Sequence, residues 1–340
     1  MTRFLLTEDK VITFIEHLQK QKNVFAPHKR GTNSFAFEQV SDPASVMLDY
    51  TRTLHSVKKY FMPPREQLLS FSLTDNSFAE PTVDPVDAIF LGVHSYDLQA
   101  VFKLDHNFSE GNPEKNYLKR REGALFVGVT FAPDQWHFSG SVGINPNDAD
   151  GFDVFLFAVE NGYAVEAFTP AGESLLSGFE MSEFNSDIPA AADFNQHIYV
   201  PQGKLSEVFD NAWDNEVWEE TSKECVGCGT CNMVCPTCYC FNVEDGVDVT
   251  ATVGQRERHW DACMTRDFSE VAGGEVFREE LAARQRHRVY RKFKYISDKT
   301  GQPWCVGCGR CTASCSAKIS IVNIVNKLVQ DHEQATVAPV

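Results

Sequence analysis

Two stretches of the chain share one cysteine spacing: CVGCGTCNMVCP at residues 225–236 and CVGCGRCTASC at residues 305–315. Each follows the pattern C-x-x-C-x-x-C-x-x-x-C, and together they hold eight of the eleven cysteines. No cysteine precedes Cys225. The chain therefore divides into a cysteine-free front part and a cysteine-rich back part.

This spacing is the one that holds [4Fe–4S] cubes in bacterial ferredoxins, where the fourth cysteine of each run binds the other cluster. Three thiolates two residues apart wrap one tight loop around three irons, and the fourth iron needs a sulfur from another direction. The pattern therefore predicts two crossed ligand sets. The first set is Cys225, Cys228, Cys231 and Cys315, and the second set is Cys305, Cys308, Cys311 and Cys235.

Glycines stand between the predicted ligands, where the backbone must turn tightly and can take a positive φ. They are Gly227, Gly229, Gly307 and Gly309. Their N–H groups can approach the sulfurs and help to set a cluster potential. Zinc is the alternative metal, but zinc sites use two C-x-x-C pairs and not three close thiolates with a distant fourth. The sequence therefore favours iron–sulfur clusters.

Three further cysteines, Cys238, Cys240 and Cys263, leave two interpretations open. They could hold a third iron–sulfur cluster with a fourth ligand of another type. They could instead be buried, reduced thiols, since free cysteine is among the most buried residue types.

The composition excludes several classes of function. A net charge of −16 over 340 residues argues against nucleic-acid binding. No G-x-G-x-x-G or phosphate-cradling loop indicates a flavin, NAD or ATP site, and no catalytic triad is evident. The sequence shows neither a secretory signal nor an apolar run long enough for a membrane span. We therefore expect a cytoplasmic electron-transfer chain with no complete active site of its own.

The predicted fold class is α+β: an α/β domain over residues 1–202, then an α-helical ferredoxin-like domain with two clusters over residues 203–340. Apolar spacing predicts the elements of the front part. They are a helix over residues 8–20 capped by Thr7, a strand over 88–93, a helix capped by Ser95, a strand over 124–131, and a hairpin over 152–168 that turns at Asn161-Gly162. The back part is predicted to contain helices over 205–217, 265–272 and 276–297 and from residue 321 onward.

Four segments in this order resemble the β (iron–sulfur) subunit of soluble [NiFe] sulfhydrogenases and the A subunit of anaerobic sulfite reductases. They are CVGCGTCNMVCPTCYCFNVEDGVD, WDACMTRDFSEVAGG, RQRHRVYRKFKY and CVGCGRCTASC. The resemblance is close over residues 203–330 and looser in front, at GVHSYDLQAVFKLD.

The resemblance implies a relay of single electrons between a flavin subunit that reacts with NAD(P)H and a partner with the terminal catalyst. That partner is a hydrogenase in one branch and a sirohaem sulfite reductase in the other, and related subunits feed heterodisulfide-reductase-like partners. Two other classes stay open. One is a self-sufficient enzyme with an open iron, and the other is a redox or metal sensor.

The segment Arg284 to Lys294 is strongly basic in an otherwise acidic chain. Its basic residues are Arg284, Arg286, Arg288, Arg291, Lys292 and Lys294. One interpretation is a solvated helix face paired with the chain's own carboxylates. The other is a docking patch or a positive charge beside a cluster, which would raise the cluster's potential.

Overall fold

The computed structural model describes residues 2–337, within which the chain forms two β-sheets and eleven α-helices. The strands, in chain order, are β1 (Phe4–Thr7), β2 (Asn23–Lys29), β3 (Phe35–Gln39), β4 (Arg65–Ser72), β5 (Phe78–Ala79), β6 (Ala88–Val93), β7 (Leu125–Val129), β8 (Val154–Val159), β9 (Gly162–Ala167), β10 (Ser182–Glu183), β11 (Phe241–Val247) and β12 (Val253–Trp260). The α-helices are α1 (Val11–Gln19), α2 (Lys58–Phe61), α3 (Ser95–Ser109), α4 (Lys115–Arg121), α5 (Pro170–Leu176), α6 (Val217–Ser222), α7 (Thr230–Met233), α8 (Leu281–Phe293), α9 (Ser297–Thr300), α10 (Arg310–Ala313) and α11 (Ile321–Val337).

The larger sheet has eight strands in the order β10-β1-β9-β8-β7-β6-β2-β3. Its centre, β2-β6-β7-β8, is parallel, and the outer pairs are antiparallel. Every residue of β6 is buried, as expected for a parallel strand covered on both faces. The chain then enters α3, so this part of the protein has the α/β arrangement that the sequence predicted.

The smaller sheet joins the two parts of the chain. Its order is β11-β12-β4-β5, so a hairpin from between the two cysteine runs pairs with a strand of the front part. A second contact is the core around α8 and α11, where Tyr96 and Phe138 of the front part pack with Val289 and Phe293 of α8. The overall fold is therefore mixed α+β.

Most of the predicted elements of the front part are present with small shifts. The predicted helix over 8–20 is α1, but Thr7 ends β1 and its side chain caps nothing. Ser95 is the first residue of α3 and not its cap, since its hydroxyl has no hydrogen-bond partner among the described residues. The hairpin is confirmed as β8 and β9, and Asn161 at its tip has a φ of 65°.

The predictions for the back part were less accurate. In place of the helix predicted over 205–217, the chain forms a 3-10 turn at Glu207–Phe209 followed by α6. The helix predicted over 265–272 is only a 3-10 turn, Asp267–Ser269, and the next helix is α8, which begins at Leu281. The hairpin of β11 and β12 was not predicted. The last helix is confirmed as α11, and a frayed end expected around Pro339 lies outside the described residues.

No helix within residues 2–337 is long and apolar enough to cross a membrane.

Candidate iron-sulfur sites

The two cysteine runs adopt the same backbone conformation. Gly227 and Gly307 have φ angles of 66° and 65°, in the left-handed region that disfavours other residues. Gly229 and Gly309, with φ angles of 74° and 69°, then begin the short helices α7 and α10. The repeated spacing in the sequence therefore corresponds to a repeated loop in three dimensions.

Each loop directs a backbone N–H group at a cysteine sulfur. The Gly227 N–H donates to Cys225 Sγ at 3.4 Å, and the Gly307 N–H donates to Cys305 Sγ at 3.5 Å. Such N–H groups stabilise negative charge on ligand sulfurs and help to set the potential of a cluster. Both contacts are hydrogen bonds from a glycine N–H to a cysteine sulfur, which is the role predicted for these glycines.

One pocket is lined by all four cysteines of the first set. Cys225, Cys228 and Cys231 of the first run line it together with Cys315 of the second run. Cys311, Arg288 and the apolar side chains of Met264 and Ile319 also reach this pocket. Cys228 is exposed, so the first set lies at the protein surface.

The second set is also brought together, and it is less exposed than the first: Cys308 is buried, and Cys235, Cys305 and Cys311 are partly buried. The sulfur of Cys305 interacts electrostatically with those of Cys311, Cys235 and Cys308. Burial raises the pKa of Cys305 to about 12 and that of Cys308 to about 11. Because thiolates are the metal-binding form, binding of iron here must release protons.

The remaining cysteines share a neighbouring pocket. Cys238, Cys240 and Cys263 line it together with His287. Asn232 is buried, and its Nδ2 donates to Cys238 Sγ at 3.4 Å and to Cys263 Sγ at 3.2 Å. The three thiols are therefore grouped.

Several buried cations surround the cysteines. Burial alone would lower the pKa of Arg288 and of Lys292, but the nearby cysteine sulfurs raise both pKa values overall. Lys58 donates from its Nζ to the carbonyl oxygens of Cys235, at 3.1 Å, and Cys238, at 3.0 Å. Burial lowers the pKa of Lys58 to about 8. The basic segment is thus not simply a solvated helix face.

A buried ion pair attaches the second run to the front part. Arg310, between Cys308 and Cys311, makes a bidentate contact with Asp97 of α3, at 2.6 and 2.7 Å. Its Nε also donates to the carbonyl oxygen of Thr53 at 2.7 Å. No role was predicted from the sequence for Arg310, Asp97, Lys58 or Asn232. An arginine inside a cysteine run was the one available signal.

These residues fit [4Fe–4S] clusters. The fit rests on the shared pocket of the first set, the N–H groups directed at two sulfurs, and buried cations that can balance anionic clusters. Within residues 2–337, no three His, Cys, Asp or Glu side chains converge tightly enough for a single metal ion. In a [4Fe–4S] cube each cysteine thiolate binds a different iron, so the four cysteine sulfurs stand farther apart than the ligands around one zinc ion.

Comparison with known proteins gives the family. A family model described as a 4Fe–4S dicluster domain matches residues 224–319, which span both runs. Over 326 residues the chain is 32% identical to sulfhydrogenase 2 subunit beta of Pyrococcus furiosus, covering 93% of this chain and 95% of that protein. The chain belongs to the sulfhydrogenase beta-subunit family. No solved structure matches it.

Membership in the sulfhydrogenase beta-subunit family confirms the resemblance that the four sequence segments indicated. The dicluster match supports two [4Fe–4S] clusters in the back part of the chain. The chain is therefore an iron–sulfur electron-transfer subunit. The assignment of individual cysteines to each cluster stays a prediction.

Proposed function

We propose that this chain relays single electrons inside a multi-subunit oxidoreductase. A [4Fe–4S] cluster, when bound, takes up and gives up one electron at a time. The observation that carries the proposal is the pocket that Cys225, Cys228 and Cys231 share with Cys315 of the other run. Because this pocket takes its fourth cysteine from the other run, as the crossed pattern requires, we assign one cluster to each set of four cysteines.

The surroundings of the two sets suit different tasks. Cys228 is exposed and Val226 is 73% exposed, so a partner protein can approach the first set closely. The second set is covered by the front part, where Phe138 N–H donates to the Gly307 carbonyl oxygen at 2.9 Å. We infer that electrons enter or leave the chain at the first set, which is the more exposed of the two.

Family membership supports a proposal for the partners of this chain. The name of the relative contains the word sulfhydrogenase, and we extend a hydrogenase partner to this chain. In this proposal one neighbouring subunit carries flavin and reacts with NAD(P)H, and another holds a [NiFe] catalyst. The assembly is proposed to be cytoplasmic. A sulfite reductase or a heterodisulfide-reductase-like partner is the alternative.

Purification of the native complex tests this proposal. We expect a flavoprotein and a hydrogenase subunit to co-purify with the chain, and NADPH to produce the EPR signals of its reduced clusters. Cys228→Ala should block hydrogen formation from NADPH while the flavin subunit still reduces a dye. A chain that purifies alone and completes a reaction would contradict the relay, and a sirohaem partner would favour the alternative.

Two interpretations, a third cluster or reduced thiols, remain for Cys238, Cys240 and Cys263. Burial lowers the pKa of His287 to about 4, so this imidazole is neutral at pH 7 and could complete a third cluster. The amide of Asn232, which donates to two of the sulfurs, favours packed, reduced thiols instead. We favour the thiols. Two cubes require about eight irons per chain and three require about twelve, so an iron count separates the two interpretations.

A further inference from the structure

Helix α8 directs three basic side chains into the protein. Arg284, Arg288 and Lys292 are four residues apart and therefore share one face of the helix. All three are buried. Arg284 donates to the carbonyl oxygens of Met264 and Glu279, at 2.9 and 3.0 Å. Burying a cation is costly unless it is paired, so the environment of the other two requires an explanation.

Arg288 stands between two groups of cysteines. It lines the pocket of the first set and also the pocket of Cys238, Cys240 and Cys263. Its Nε has no hydrogen-bond partner in the part of the chain that the structure describes. The groups that raise its pKa most strongly are cysteine sulfurs: Cys231 of the first set, Cys311 and Cys235 of the second set, and Cys238.

Lys292 lies one helical turn further along. Its Nζ donates to Thr237 Oγ1 at 2.6 Å, and Thr237 is held in turn by Trp304, whose Nε1 donates to the Thr237 carbonyl oxygen at 2.9 Å. Thr237 Oγ1 also lies 3.5 Å from Cys235 Sγ, which places the ammonium group close to the second set. The sulfurs of Cys235 and Cys305, both in the second set, and that of Cys238 raise its pKa. The charge of Lys292 is therefore fixed beside the second set, whereas that of Arg288 is fixed at the pocket of the first set and also reaches sulfurs of the second.

We propose that Arg288 and Lys292 are fixed counter-charges that raise the reduction potentials of the clusters at the first and second sets. The inference rests on the proposal that each set holds a cluster. Reduction adds one electron and no proton or bond, so the cluster becomes more negative by one charge. A cation held nearby in a low-dielectric interior favours that form. Lys292 acts on sulfurs of the second set, whereas Arg288 lines the pocket of the first set and also reaches sulfurs of the second, so substitution of Lys292 should act mainly on the second potential.

The test is an EPR-monitored redox titration of the iron-loaded protein. Arg288→Gln should make reduction of the first cluster at least tenfold less favourable, a downward shift of about 59 mV for one electron. Lys292→Gln should lower the potential of the second cluster more than that of the first. Arg288→Lys keeps the charge and should retain most of the native potential. A role in packing alone would not produce this dependence on charge.

Two residues of the same helix region serve as matched controls. Arg286 donates to the Trp213 carbonyl oxygen and stacks on its ring at 4.0 Å, and Lys294 pairs with Asp210 and Asp298. Arg286→Gln and Lys294→Gln each remove one positive charge but should leave both potentials unchanged, because these groups contact Trp213 and the Asp210 and Asp298 carboxylates and not the cysteines.

Several results would overturn the proposal. One is a loaded Arg288→Gln or Lys292→Gln protein with native potentials, and another is an equal shift in the control variants. If Arg288→Gln fails to load iron while Arg288→Lys loads normally, a positive charge at this position is needed for cluster binding. The effect of a buried cation on the potential is then measured with Lys292→Gln. A protein that binds no clusters overturns both this inference and the proposed function, whereas clusters with unchanged potentials overturn only the counter-charges.

Discussion

At the scale of single residues, Arg310 links the two parts of the protein. It lies inside the second cysteine run, yet its guanidinium is fully buried against Asp97 of α3. Burial alone would lower the pKa of Arg310, but Asp97 and the neighbouring Cys308 raise it. The pair therefore positions the loop that carries the second set.

Asp97→Ala should leave the Arg310 charge buried and without its carboxylate. Removal of one partner from a buried pair typically costs about 3–5 kcal/mol. The control is Asp245→Ala, which breaks an ion pair with Arg256 that is about half exposed and should cost little stability. Anaerobic urea unfolding of the iron-loaded variants measures both effects. Equal losses in the two variants would show that the buried pair has no special role.

At the scale of elements, the two cysteine loops are alike in conformation but differ in surroundings. A Cβ at Gly307 would lie 2.3 Å from Ser139 Cα, whereas a Cβ at Gly227 would lie 3.1 Å from Cδ2 of the flexible Leu281 side chain. The second loop is therefore packed directly against the backbone of the front part. The first loop has room because it lies near the surface.

Substitution of these glycines separates backbone strain from packing. Gly227→Ala should cost roughly 1–2 kcal/mol, because alanine must adopt a positive φ. Gly307→Ala carries the same strain and also a backbone overlap, so it should lose more stability and more iron. Urea unfolding and iron content give the comparison. A Gly307→Ala protein as stable and as fully loaded as Gly227→Ala would refute the close packing of the second loop.

The cysteine loops were predictable because their information is local. Cysteine spacing and the positive-φ glycines Gly227 and Gly307 define them within a few residues. The hairpin of β11 and β12 was not predictable, since every residue of β11 is exposed and its strand gives no alternation of buried and exposed positions. Its pairing with β4 depends on a partner far away in the chain.

The role of the basic face of α8 was also only partly predictable from the sequence. Its basic composition and helical spacing were predictable from the sequence, but two interpretations of its role remained. Which side chains turn inward depends on how α8 packs against the cysteine loops. Arg288 and Lys292 face the sulfurs, whereas Lys294 pairs with surface carboxylates. Substitutions at Arg286 and Arg288 therefore test different properties, since Arg288 is buried and Arg286 is partly exposed.

At the scale of the whole molecule, the front part is a support for the second set. Arg310, Gly307 and the hairpin pairing with β4 all attach the cysteine-rich part to it. The first set stays accessible at the surface. This asymmetry fits a relay with one exposed and one enclosed end.

The most direct test is an EPR-monitored redox titration of the anaerobic protein with single ligands removed. The native chain should show two one-electron cluster signals. Cys315→Ala should lose the same signal as Cys225→Ala and keep the one that Cys305→Ala loses, because the fourth ligands are crossed. The account would be contradicted if Cys315→Ala lost the signal that Cys305→Ala loses, or if the native protein showed no cluster signals.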